Sequence, residues 1–132
     1  MEIKAGNVET INTNGTGWIV GYSSGLESFP LRYMPQGGCA HTVGVKWMDH
    51  HTTDEPAKGR NKPVSEGRTM SILVSPKGGI QLEFCENNKF QEDVKQRWLE
   101  KHGDYVIWGE GICHQWSVEA DSTVLTVRWV PI

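Results

Sequence analysis

The chain has 132 residues, with 13 Lys and Arg set against 16 Asp and Glu for a formal net charge of −3, so it is expected to form one domain spanning 1–132. No long run of one sign is present, which argues against a nucleic-acid or anionic-membrane partner, because both need clustered cations. No stretch approaches the ~20 apolar residues of a membrane-spanning helix.

The N-terminal MEIKAGNVETINTNG is polar and lacks the apolar core of a signal peptide. Cys39, Cys85 and Cys113 are widely spaced and form no CxxC pair. Neither a disulfide framework nor a thiolate zinc site is expected from them. They read as reduced, packed thiols, and a cytoplasmic location is expected with them.

Along the chain, short apolar runs alternate with Gly, Pro, Asn and Asp clusters, the pattern of an all-β sandwich or barrel. Strands are expected at Trp18–Val20, Phe29–Met34 and Val43–Trp47. Thr69–Val74 and Ile80–Phe84 then read as a hairpin around Ser75–Gly79. Asp104–Trp108, His114–Val118 and Ser122–Val130 complete about eight strands. Two segments break the rhythm. Residues His51–Arg68 are almost free of apolar side chains and read as a long surface loop, either a lid or a passive insertion. Phe90–His102 places Phe90, Val94 and Trp98 four apart, so it fits either a helix or a strand entering Gly103.

The segment Gly103–His114, GDYVIWGEGICH, resembles the second conserved motif of the cupin superfamily. Gly103, Gly111 and His114 fall on matching positions, and Gly109 stands where the family has proline. The spacing has its own logic: a strand ends at Trp108, two glycines permit a tight turn with positive φ, and the next strand presents a histidine. The last run, Asp121–Trp129, is similar to the final strand of small cupin-like bacterial proteins. The first cupin motif is matched by Gly44 and His50 alone. Thr52 stands where a second histidine belongs, and Ser71 or Ile72 where the glutamate belongs, so a complete three-histidine, one-glutamate cage is not written here. The resemblance implies a cupin-type jelly-roll barrel of about eight strands with at most one short helix. It also implies a small molecule held inside the barrel, and a homodimer paired through edge strands.

Strand alternation places His114, Trp116 and Val118 on one face, opposite Cys113. A Cys113–His114 nucleophilic pair is therefore not expected. His50 and His51 must point to opposite faces, so only one of them can join His114. Apolar alternation through Val43, Val45 and Trp47 favours Asp49 and His51 inside, whereas motif counting favours His50. Trp47, Trp108, Trp116 and Trp129 are candidates for an aromatic pocket or for plain core. Arg128 is an anion clamp if it faces the lumen and an edge charge if it does not. His41 and His102 lie beside loops and read as surface residues.

Two functional expectations follow. The first is a metal-free barrel that binds a small molecule, with pocket residues His114, Trp116, Trp47, Trp108 and Arg128. The second is a metal-dependent enzyme, a dioxygenase, isomerase or lyase acting on a small carboxylated or sugar-like substrate. There His114 with His50 or His51 would hold one divalent Fe, Mn, Ni or Zn, helped by Asp49 or Glu83, while Arg128 or Lys46 oriented an anionic group.

Overall fold

The computed structural model describes residues 1–10, 12, 41–54, 67–87 and 89–131, with backbone alone at 41–44 and 130–131. The strands expected at Trp18–Val20 and Phe29–Met34, Cys39, and most of the loop after Asp54 lie outside the described residues.

The described chain forms eight strands and one short turn of 3-10 helix, Val8–Thr10. The strands are β1 Ile3–Asn7, β2 His41–His50, β3 Arg68–Leu73, β4 Lys77–Cys85, β5 Lys95–Lys101, β6 Asp104–Trp108, β7 Cys113–Ala120 and β8 Ser122–Pro131. They build two antiparallel sheets, a five-stranded one in the order β1-β6-β3-β8-β2 and a three-stranded one in the order β5-β4-β7. This is the all-β, two-sheet jelly-roll barrel expected from the sequence.

One expected connection is corrected. β3 and β4 are both strands but are not a hairpin, because β3 pairs with β6 and β8 while β4 pairs with β5 and β7. The turn between them carries the chain from one sheet to the other. Ser75 fixes it: its hydroxyl donates to the Lys77 carbonyl at 2.7 Å and accepts the Thr123 N–H at 3.0 Å. Leu73 and Ile80 can then face each other across the core instead of lying side by side in one sheet. The ambiguous Phe90–His102 segment resolves into irregular turns followed by β5, which buries Leu99 and leaves Trp98 exposed.

The main core lies between the sheets and contains Leu73, Leu82, Phe84, Leu99, Val106 and Trp108. A second apolar cluster, Met70, Tyr105, Ile107 and Trp129, occupies the opposite face of the five-stranded sheet. Around β3 and β6 both faces of that sheet are therefore packed, which removes there the simple inside–outside alternation of a half-exposed strand. Cys85 and Cys113 are buried unbridged thiols on directly opposed positions of β4 and β7. Burial, with the neighbouring Cys85 as a smaller contribution, raises the Cys113 pKa. Both thiols are buried in the packing, and the raised pKa keeps Cys113 from acting as a nucleophile.

Candidate functional site

Between the sheets lies a cavity of about 70 Å³, lined from seven of the eight strands. Pairing geometry explains which side chains reach it. On β8 the inward residues are Ser122, Val124, Thr126 and Arg128, and these stand opposite His50, Met48, Lys46 and Gly44 of β2. On β7, His114 and Trp116 stand opposite Phe84 and Leu82 of β4, so both share the inner face of the smaller sheet.

The structure brings five of the expected site residues together: His50, His114, Trp108, Trp116 and Arg128 all line the cavity, with Lys46 beside them. Each histidine is packed on an indole. His50 meets Trp116 edge-on with ring centroids 4.9 Å apart, and His114 lies 5.0 Å from Trp108. Phe84, fully buried, supports the second pair from below at 5.1 Å from Trp108. The short turn before His114 is made by Gly111 at φ 81, a conformation that suits glycine. Gly109 does not share that positive φ, so one glycine suffices for the turn.

Arg128 faces the lumen. Its Nε donates to the Thr69 hydroxyl at 2.7 Å, and Thr69 is wholly buried. That bond restrains the guanidinium and leaves its terminal nitrogens uncommitted among the described residues of the lining. Next to it, the hydroxyls of Ser71 and Thr126 bond to each other at 2.8 Å. Lys46 is solvent-exposed and stands at the mouth.

Other expected residues lie elsewhere. Trp47 is 65% exposed and His51 is also exposed, its Nδ1 lying 3.7 Å from Asp121. The parity argument that placed Val43, Val45, Trp47, Asp49 and His51 inside is corrected: Val45 and Trp47 point out, and Lys46 and His50 point in. Asp49 accepts a 2.7 Å bond from Thr123 on the outer face, and Glu83 accepts from Gln115 at 3.1 Å on the outer face of the smaller sheet. Neither carboxylate reaches the cavity. Trp129 belongs to the second apolar cluster. His102 is a turn residue, as expected, with Nδ1 at 3.1 Å from the Val74 carbonyl. Sequence reasoning missed Ser71, Thr126 and Thr69. For Thr126 the available signal was the i, i+2 pair Thr126 and Arg128, polar on a strand whose other face there, Leu125, Val127 and Trp129, is apolar; Thr69 and Ser71 alternate on β3 in the same way against Met70 and Ile72.

Among the described residues no group of three or more His, Cys, Asp or Glu could hold a metal. No helix of the described residues is long and apolar enough to cross a membrane. No protein-family model matches the chain, and no curated protein sequence does either. Solved structures with similar backbones include hydroxypropylphosphonic acid epoxidase from S. wedmorenis, 13% identical at a TM-score of 0.47 over 65% of this chain and 42% of that one. The 3,4-ketoisomerase QdtA from Thermoanaerobacterium thermosaccharolyticum, in complex with TDP, is 13% identical at 0.46 over 67% and 59%. The TDP-quinovose 3,4-ketoisomerase WlaRB from Campylobacter jejuni is 9% identical at 0.46 over 67% and 62%. The matched region spans less than two thirds of each of these proteins.

Proposed function

We propose that this barrel binds a small molecule in the inter-sheet cavity and does so without a resident metal. The observation that carries this reading is the convergence of His50, His114, Trp108, Trp116 and Arg128, from four different strands, on one concave site. A concave site with aromatic walls and a few placed polar groups is the usual form of a small-molecule pocket. A volume of about 70 Å³ is below the ~150 Å³ of a benzene-sized cavity, so the site takes a few-atom ligand or the end of a larger one.

The donor set does not fit a bound divalent cation. Two imidazoles are present, but the other ionisable groups at the cavity are Lys46 and Arg128, and no carboxylate joins them among the described residues. Zinc and iron sites with two histidines draw a carboxylate or thiolate as well, which lowers the charge around the ion. A metal-dependent enzyme is the second reading, favoured by one observation: His50 and His114 share the cavity.

Elemental analysis of protein purified without a metal-affinity tag, beside His114→Ala, separates the two. We expect no stoichiometric Fe, Mn, Ni or Zn in either preparation, before or after reconstitution. About one equivalent in the wild type that disappears in the variant would instead establish the metal reading.

A further inference from the structure

The geometry points to a small organic anion as the ligand, held by a carboxylate or phosphoryl group between Arg128 and Lys46, with its apolar portion on Trp108 and Trp116. This rests on the reading of the cavity as a binding site and adds the chemical class of what enters it.

The first argument is charge. The cavity carries two cationic side chains and no acidic side chain among the described residues, and neither Lys46 nor Arg128 forms a salt bridge with a described residue. A charge beside a low-dielectric wall is costly unless it is matched. Arg128 is half-buried and its carboxylate partner is not supplied by the described protein, so an incoming anion would complete the pair.

The second argument is geometry. The 2.7 Å bond from Nε to buried Thr69 uses one donor of the guanidinium and holds its plane. The two terminal nitrogens remain, the end-on fork that can bond a carboxylate or phosphoryl group with two parallel N–H donors. Lys46, at the mouth, supplies a mobile second cation rather than a fixed contact.

The third argument is shape. Both cations come from the five-stranded sheet, whereas Leu82 and Trp116 line the cavity from the smaller sheet. A ligand with one anionic end and a short apolar body matches both walls at once. A neutral sugar-like ligand would leave Arg128 without a counter-charge, and a cation would be repelled.

The test uses an isosteric pair, propionate and propionamide, with methyl phosphate to separate carboxylate from phosphoryl recognition. Binding is followed by NMR of the Trp indole and His ring protons, on the full chain and on Arg128→Gln and Lys46→Gln. We expect saturable shifts at Trp108, Trp116, His50 and His114 for an anion, with propionamide at least about tenfold weaker, the cost of removing a charge-assisted contact. Arg128→Gln should weaken the anion by about tenfold or more. Lys46→Gln, screened by water, should weaken it by no more than about threefold and reduce its salt dependence. The Lys46 variant and the salt series keep the test decisive should Arg128→Gln fail to fold.

Equal binding of propionate and propionamide would overturn the anion inference and leave the cavity reading standing. Anion binding that persists in Arg128→Gln, with shifts away from the two indoles, would also overturn it. If no probe moves the cavity signals at about 100 mM, weaker than any specific few-atom ligand should be, both readings fall.

Discussion

The two sheets line the same cavity with opposite chemistry. The five-stranded sheet contributes every charged or hydroxyl side chain of the lining, Lys46, Ser71, Thr126 and Arg128, with His50, Val124 and Trp108 beside them, and turns an apolar face, Met70, Ile107 and Trp129, away from the cavity. The three-stranded sheet contributes Ile80, Leu82, Leu99 and Trp116, with His114 as its ionisable group. One wall is mainly polar where it meets the ligand space and apolar behind; the other is mainly apolar where it meets that space. The difference assigns separate weights: both sheets feed the core, through Leu73, Val106 and Trp108 on one side and Leu82, Phe84 and Leu99 on the other, but the larger one alone supplies the charged and hydroxyl groups for recognition.

If that division holds, truncation on the apolar side must cost the most stability. Phe84 is wholly buried on β4 and packs under both Trp108 and His114. Phe84→Ala is expected to destabilise the fold by about 3–5 kcal/mol, the range for a buried aromatic replaced by a methyl group. Urea denaturation checks this. A loss below about 1 kcal/mol would mean that the site can collapse and that the apolar wall is not the foundation of the core.

The polar wall should respond less, and through pairs. Ser71→Ala should cost about 1–1.5 kcal/mol, because it leaves the Thr126 hydroxyl without its 2.8 Å partner in a part-buried setting. Replacing both, Ser71→Ala with Thr126→Val, should cost less than the sum of the two singles, with a coupling of about 1 kcal/mol in a double-mutant cycle. Additive losses would show that the hydroxyls are each satisfied elsewhere and that this wall is not a connected unit.

The same asymmetry explains what was legible in the sequence. Strand positions were readable because turn residues bound them: β6 runs over Asp104–Trp108, as the sequence predicts, and β7 and β8 differ at their ends alone. His114 and Trp116 were placed correctly because β7 belongs to the sheet whose apolar side faces in. On β2 the same rule inverted, since Val45 and Trp47 lie on the outer side and Lys46 and His50 form the cavity wall. Apolar alternation reports which face is greasy, not which face meets the ligand, and the two coincide only where the cavity wall is itself apolar. Motif counting found His50 because a glycine-to-histidine spacing is indifferent to polarity. The false hairpin of β3 and β4 has another cause: a short turn-rich linker between two strands reads alike whether it closes a ladder or crosses between sheets. That choice is made by Thr123 and Ser75, 48 residues apart.

The seam between the two walls offers the mildest test. β5 ends the smaller sheet and β6 enters the larger one through a tight turn at Gly103, where φ is 88. Asp104 ties that turn. Its Oδ2 accepts the Glu100 and Lys101 N–H groups at 3.0 and 2.8 Å, and its Oδ1 accepts the Asn7 side-chain amide of β1 at 2.9 Å. Burial by itself would raise this carboxyl, but the Lys101 N–H, the Asn7 amide, the Glu100 N–H and the Lys101 charge together outweigh it and hold the pKa below the ordinary 3.8. A folded value below the unfolded one means that the contribution is present above about pH 4 and fades as pH falls through the folded pKa. Asp104→Asn is therefore expected to lose about 0.5–1 kcal/mol at neutral pH, an amount limited by the partial exposure of the site. The gap between variant and wild type should narrow in urea titrations run near pH 3. A gap that stayed constant with pH would show that the carboxylate charge is not what joins the two sheets at this turn, and that the hydrogen bonds hold equally well with a neutral acceptor.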